Sequence, residues 1–305
     1  MSLIKKTPLA VSGLALSLAA LGNLLSPHGE TIRFVLAIFS TITFGLFFAK
    51  LILDYDKTKE ELKNPVVLSG LPTSTQALML FTVYMQPFLG PVAVYVWYVI
   101  IAAHILIMLT FVKRFVFALK LQTVFPSWFI ISAGIVTASL TSPAMGAIRV
   151  GQAIFYVGFV LYPFTLSVII YRLIKFRPLP EPARPTIAVF TAPMSMCLAG
   201  YLAAFEQPNA LLVYFMLTIT VISYIYVSVN MVFLLRLKFY PTYAAFTFPY
   251  VISAIAFNVA NTFLLEKGYG FFSFAPIVSK CVAVIIVTYV LIRYTVSLCS
   301  KSGEL

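Results

Sequence analysis

Charge is what this chain has least of. Only 10% of its 305 residues are Asp, Glu, Lys or Arg, while 61% are hydrophobic. A soluble domain must cover much of its surface with polar groups, and a mean hydropathy of +1.01 leaves too few for that. The three cysteines, Cys197, Cys281 and Cys299, are odd in number and lie scattered in or beside apolar runs. That excludes a disulfide framework and any zinc-ligand spacing. There is no nucleotide loop, no metal-ligand cluster and no nucleophile–base pair. The stretch "DYDKTKEELK" at 54–63 opens like a calcium loop but lacks its glycine and spacing, so it reads as a solvated loop. No enzyme activity, cofactor or metal is expected.

What is present is a series of long apolar runs. Runs of this length, rather than ten-residue alternations, indicate an all-α integral membrane protein and not a β-barrel. Ten spans are expected, near 7–26, 30–53, 65–85, 91–112, 124–143, 148–172, 185–205, 207–235, 240–264 and 271–294, in a single transmembrane domain over 1–305. The loops between them alternate in charge. Seventeen basic residues fall on the side of the N-terminus: Lys5, Lys6, Lys50, Lys57, Lys59, Lys63, Lys113, Arg114, Lys120, Arg172, Lys175, Arg177, Arg184, Arg236, Lys238, Arg293 and Lys301. Four fall on the other side: Arg33, Arg149, Lys267 and Lys280. This positive-inside bias predicts that both termini are cytoplasmic. The net charge of +12 is therefore a topology signal, not a nucleic-acid patch. "MSLIKK" resembles the start of a signal peptide, but "PLAVSGL" at 8–14 recurs as "PVVLSGL" at 65–71. A segment that recurs deeper in the chain belongs to the fold.

The recurrence extends along the chain. Every second span opens with a proline, Pro8, Pro65, Pro126, Pro185 and Pro241, at spacings of 57, 61, 59 and 56 residues. This predicts a two-helix unit repeated five times. A hydroxyl follows each proline after one to two turns: Ser12, Ser69, Ser132, Thr191 and Thr247. Helix breakers come next: Pro72, Pro193 and Pro249 break the helix directly, and Gly13, Gly70 and Gly134 weaken it. An interior proline frees the carbonyl four residues back, here Leu68, Val189 and Ala245. In hydrocarbon such a group needs a partner, a protein neighbour or a watery cavity. Five kinked helices, each polar at one level, are best placed together at the centre. The even spans, such as 207–235, are continuous and rich in Leu, Val, Ile and Phe, which suits an outer ring. The expected architecture is five helical hairpins in quasi-five-fold order, with odd helices inside around a pore. The small residues also serve helix packing, and a single Ser-Gly pair would be read that way. Five in one register point to a shared inner face.

Aligned on the hydroxyl, the five odd spans differ at the next residue. It is Gly13, Gly70, Ala133, Ala192 and then Phe248. Four helices leave space at that level and the fifth carries a ring. If the level faces the axis, Phe248 is a pore gate in a constriction of Gly13, Gly70, Ala133 and Ala192. The hydroxyls of Ser12, Ser69, Ser132, Thr191 and Thr247 are expected as the polar pore lining, and Pro72, Pro193 and Pro249 as kinks. Phe246 is near enough in sequence to share the gating role. No odd span contains Asp, Glu, Lys, Arg or His. Proton relays and voltage sensors need such residues. Hydroxyls, kinked helix ends and a positive rim instead suit a weakly held anion. His104, alone in the fourth span, reads as a hydrogen-bonded packing residue.

These residues carry a family resemblance. The ten spans, the repeated proline–hydroxyl–Gly/Pro signature, "PSWFIISAGIVTASL" in the fifth span and "YAAFTFPYVISAIA" in the ninth resemble the tellurite-resistance/dicarboxylate transporter family. It includes bacterial tellurite-resistance proteins, fungal malate and sulfite transporters, and plant guard-cell slow-type anion channels. The resemblance covers nearly the whole chain. It implies a homotrimer in which each protomer has its own pore through five inner helices, plugged by a ninth-helix phenylalanine that maps to Phe248. The leading reading is an anion-selective channel or channel-like uniporter of the inner or plasma membrane, with small inorganic or organic anions as partners. Chloride- or nitrate-like ions, sulfite or small carboxylates all fit. A proton-coupled dicarboxylate or sulfite exporter is the alternative, and a membrane scaffold or sensor with a vestigial pore is a third.

Overall fold

The computed structural model describes residues 2–300, so Lys301 lies outside the described residues. Among these the chain is helical and no strand is present. Eight helices are long and apolar enough to cross a bilayer: Glu30–Leu53, Pro65–Leu89, Val92–Val116, Ile148–Lys175, Glu181–Ala204, Ala210–Leu234, Pro241–Glu266 and Phe274–Cys299. The protein is a multi-pass membrane protein. The expected spans 7–26 and 124–143 take another form. The first contains Val11–Leu25, a helix of 15 residues. The second is broken into Trp128–Ser132, a 3-10 turn over Gly134–Val136, and Thr137–Thr141. At 1.5 Å per residue, a 15-residue helix covers about 23 Å, less than the ~30 Å hydrocarbon core. In the second, Gly134 and a run of hydroxyls interrupt the α-helical ladder.

Local sequence fixes the helix starts. The Asn64 side chain accepts the Val66 N–H at 2.9 Å and Pro65 occupies the first helical position. Asn209 caps the Ala210–Leu234 helix by accepting the Leu212 N–H at 3.1 Å. Gly90, with a φ of 53°, closes the helix ending at Leu89 in the left-handed region that favours glycine.

Glu181–Thr191 and Pro241–Phe246 are 3-10 segments that turn α-helical just before Pro193 and Pro249. Pro65–Gly70 and Pro72–Leu89 are separated at Leu71. The carbonyl of Leu68, freed by Pro72, accepts the Leu71 N–H at 3.2 Å, and that of Val189, freed by Pro193, accepts the Ala192 N–H. Tightening to the 3-10 pattern thus satisfies backbone groups that hydrocarbon would leave bare.

Burial separates two sets of helices. The apolar windows of Pro65–Leu89, Glu181–Ala204 and Pro241–Glu266 are 61%, 78% and 67% buried. Those of the other five long helices are only 22–33% buried. Their exposed side chains are Phe34, Ile38 and Ile42, Val99 and Leu106, Phe164 and Ile174, Ile222 and Val229, or Ile285 and Ile292. Such a surface suits lipid, not water. Hydrogen bonds join the buried segments in sequence. Ser12 pairs with Thr73 at 2.7 Å, Ser69 with Ser127 at 2.7 Å, and Ser195 with Ser253 at 3.0 Å. Ser139 donates to the Gly200 carbonyl at 3.1 Å. The Thr247 hydroxyl reaches the Gly13 carbonyl at 3.5 Å, so the last segment meets the first. The broken segment is gripped from both sides. A Cβ on Gly158 would lie 2.1 Å from Val136 Cγ2, and one on Gly200 would lie 2.9 Å from Val136 Cγ1. Only glycine admits so close an approach.

The two ends of the described chain lie together. Lys6 Nζ donates to the Ser300 carbonyl at 2.7 Å. At the same end Lys50, fully buried, is held by Asp54 at 2.6 Å and Glu61 at 3.3 Å. The Lys50 ammonium keeps the Asp54 carboxyl below its ordinary pKa, first through their hydrogen bond.

Candidate functional site

The N-terminal halves of the buried segments enclose a cavity of about 80 Å³. Its wall brings Gly13, Gly70, Ala133, Ala192 and Phe248 together from five separate segments. A Cβ at Gly70 would meet nothing within 4 Å, and one at Gly13 would make ordinary contact with Ala244 Cβ at 3.4 Å. A second cavity of about 290 Å³ lies among the C-terminal halves, with Asn23, Thr137, Thr141 and Asn258 as its polar residues. Among the described residues, Phe248 alone lines both cavities. Phe248 is 7% exposed and stands between two spaces. Phe246 is fully buried and lines neither; its ring packs on Tyr243 with centroids 4.7 Å apart. Pro193 and Pro249 also line the first cavity, whereas Pro72 does not.

Ser12, Ser69, Ser132, Thr191 and Thr247 contribute to the wall of neither cavity. Ser12 and Ser69 bond to neighbouring segments and to the carbonyls of Leu9 and Val66. Ser132 donates to the Trp128 carbonyl, Thr191 to that of Ala188, and Thr247 to that of Ala244. The reason is angular. Consecutive helical residues are about 100° apart, so if the small residue faces the cavity, the hydroxyl before it faces a neighbouring helix. Ser12, Ser69 and Thr247 thereby join neighbouring segments, and Ser132 and Thr191 bond within their own.

The polar groups that do line the first cavity are Thr73, Gln76, Ser127, Thr186 and Thr242. None was singled out from the sequence. A signal existed: Gly70, Thr73 and Gln76 recur every third residue and so share one helix face. The wall carries no formal charge. His104 approaches this region from the Val92–Val116 helix. It is fully buried, its Nδ1 lies 2.7 Å from the Thr75 hydroxyl, and its Nε2 has no partner. Thr75 also donates to the Pro72 carbonyl at 2.8 Å.

Comparison with known proteins gives two findings. A family model described as voltage-dependent anion channel (SLAC1) matches residues 6–295. An uncharacterized transporter of Methanocaldococcus jannaschii is 28% identical in an alignment 205 residues long that covers 60% of this chain. The aligned part is 58% of that relative's length.

Proposed function

Since the chain belongs to the voltage-dependent anion channel family, we propose that it is an anion-selective channel or channel-like uniporter gated by Phe248. It passes small anions of the chloride or nitrate kind, with sulfite or small carboxylates as further candidates. The observation that carries this reading is the placement of Phe248 as the single wall residue shared by the two cavities. A phenyl ring between two spaces is an apolar stop that gates by dewetting or by rotation. Gly13, Gly70, Ala133 and Ala192 are the constriction into which it fits. The neutral wall supports weak binding, since an ion held tightly cannot leave. In this reading ten spans form five hairpins in quasi-five-fold order, the chain assembles as a homotrimer in the inner or plasma membrane, and both termini are cytoplasmic. The first cavity then opens toward the cytoplasm.

The test is voltage-clamp recording of wild type and Phe248→Ala with anions as the only permeant ions. Anion current rises in the variant if the ring is the stop. Equal current at equal surface expression sinks the proposal.

A second reading, a proton-coupled exporter of dicarboxylate or sulfite, draws on His104. It is an ionisable side chain buried beside the first cavity with one ring nitrogen unpartnered. In proteoliposomes, substrate movement that stops when the proton gradient is removed selects this reading over a channel.

A further inference from the structure

One polar atom in the wall of the first cavity has been left without a partner. Gln76 is 1% exposed and its Nε2 makes no hydrogen bond. The other polar side chains of that wall are engaged. Thr73, Thr186 and Thr242 donate to the carbonyls of Gly70, Ala183 and Pro182, and Ser127 is paired with Ser69. A buried amide N–H group is costly to leave unmet, so its persistence requires an explanation.

Its surroundings supply one. The Thr137 hydroxyl faces Gln76 Oε1 at 3.4 Å, and Nε2 is the end without a partner. The nitrogen lies against the bare backbone of Gly134, another residue of the cavity wall, where a Cβ would come within 2.4 Å of Nε2. Gln76 stands six positions beyond Gly70, about 9 Å along the helix, on the way to Leu80 in the wall of the second cavity. The amide therefore sits where the first cavity closes.

We infer that Gln76 is an anion-coordinating residue that sets selectivity, its amide N–H groups donating to a small anion at the closed end of the first cavity. This rests on the conduction reading above. A neutral amide replaces part of an anion's hydration shell without trapping the ion. A compact, strongly hydrated anion such as chloride gains more from it than a diffuse one such as thiocyanate, which sheds water readily. Gln76 thus offsets the preference for easily dehydrated anions that an apolar pore has by itself.

The experiment measures reversal potentials with chloride on one side and thiocyanate on the other, in the Phe248→Ala background. Gln76→Met keeps the length of the side chain and removes both donors. The thiocyanate-to-chloride permeability ratio should rise about threefold or more, the effect of losing one net hydrogen bond. Gly134→Ala adds a Cβ that displaces the amide without removing it and should shift the ratio the same way. It decides the question if Gln76→Met does not reach the membrane. An unchanged ratio at normal expression overturns the assignment and leaves the gate intact. Absence of current in Phe248→Ala alone refutes the conduction reading, and the assignment falls with it.

Discussion

Truncating Phe248 to alanine should be tolerated by the fold and should change transport by orders of magnitude. In a close-packed core, Phe→Ala costs about 3–5 kcal/mol. Phe248 is 7% exposed but borders cavities of about 80 and 290 Å³, so part of its surface has no packing partner to lose. The cost should lie at or below the lower end of that range, visible as a lower melting temperature in detergent with normal yield. The effect on current follows from solvation. An ion stripped of water in an apolar constriction pays several kcal/mol. Removing the ring joins the cavities and lets water follow the ion. If about 3 kcal/mol of that barrier disappears, current rises about 100-fold, at 1.4 kcal/mol per tenfold. Two-electrode voltage clamp with surface labelling measures both quantities. A second substitution tests the path: a Cβ at Gly70 meets nothing within 4 Å, so Gly70→Phe can place a new ring in the first cavity. The double variant should fall back toward wild-type current. A Phe248→Ala current within about twofold of wild type, or one that Gly70→Phe leaves unchanged, refutes a path past these residues.

Other predictions concern the scaffold. Gly158→Ala forces a Cβ to 2.1 Å from Val136 Cγ2 and should destabilise the protein by about 1–3 kcal/mol, with Val136→Ala in the same chain recovering part of the loss in thermal melts. Ser12→Ala and Ser69→Ala should each lower stability by about 1 kcal/mol while leaving anion permeability ratios unchanged, because both hydroxyls face neighbouring segments; a shifted ratio would return them to the pore wall. Asp54 has a folded pKa below its unfolded value, because Lys50 bonds to the ionised form. Its contribution is complete above the ordinary carboxylate pKa of about 3.9 and is lost as pH falls through the lowered value. The melting-temperature gap between wild type and Asp54→Asn should therefore be full at pH 6 and close on acidification below pH 4; a gap independent of pH would contradict the pairing.

Sequence by itself determined the solvent and the register. Low charge and repeated apolar runs assigned the chain to the bilayer, since hydrocarbon admits little else. The proline period aligned five segments, and the alignment isolated Phe248 among Gly13, Gly70, Ala133 and Ala192, the residues that meet at the first cavity. A register is a one-dimensional property, and folding preserves it. Direction around the helix axis is not. Where Glu181–Thr191 or Pro241–Phe246 winds as a 3-10 helix, each residue turns about 120° instead of 100°. Tertiary structure therefore decided that Ser12, Ser69 and Thr247 reach neighbouring segments and that Phe246 packs on Tyr243. It also brought Gln76 to the cavity wall, against a glycine from another segment. Packing against Gly158 and Gly200 holds Val136 of the broken segment in place.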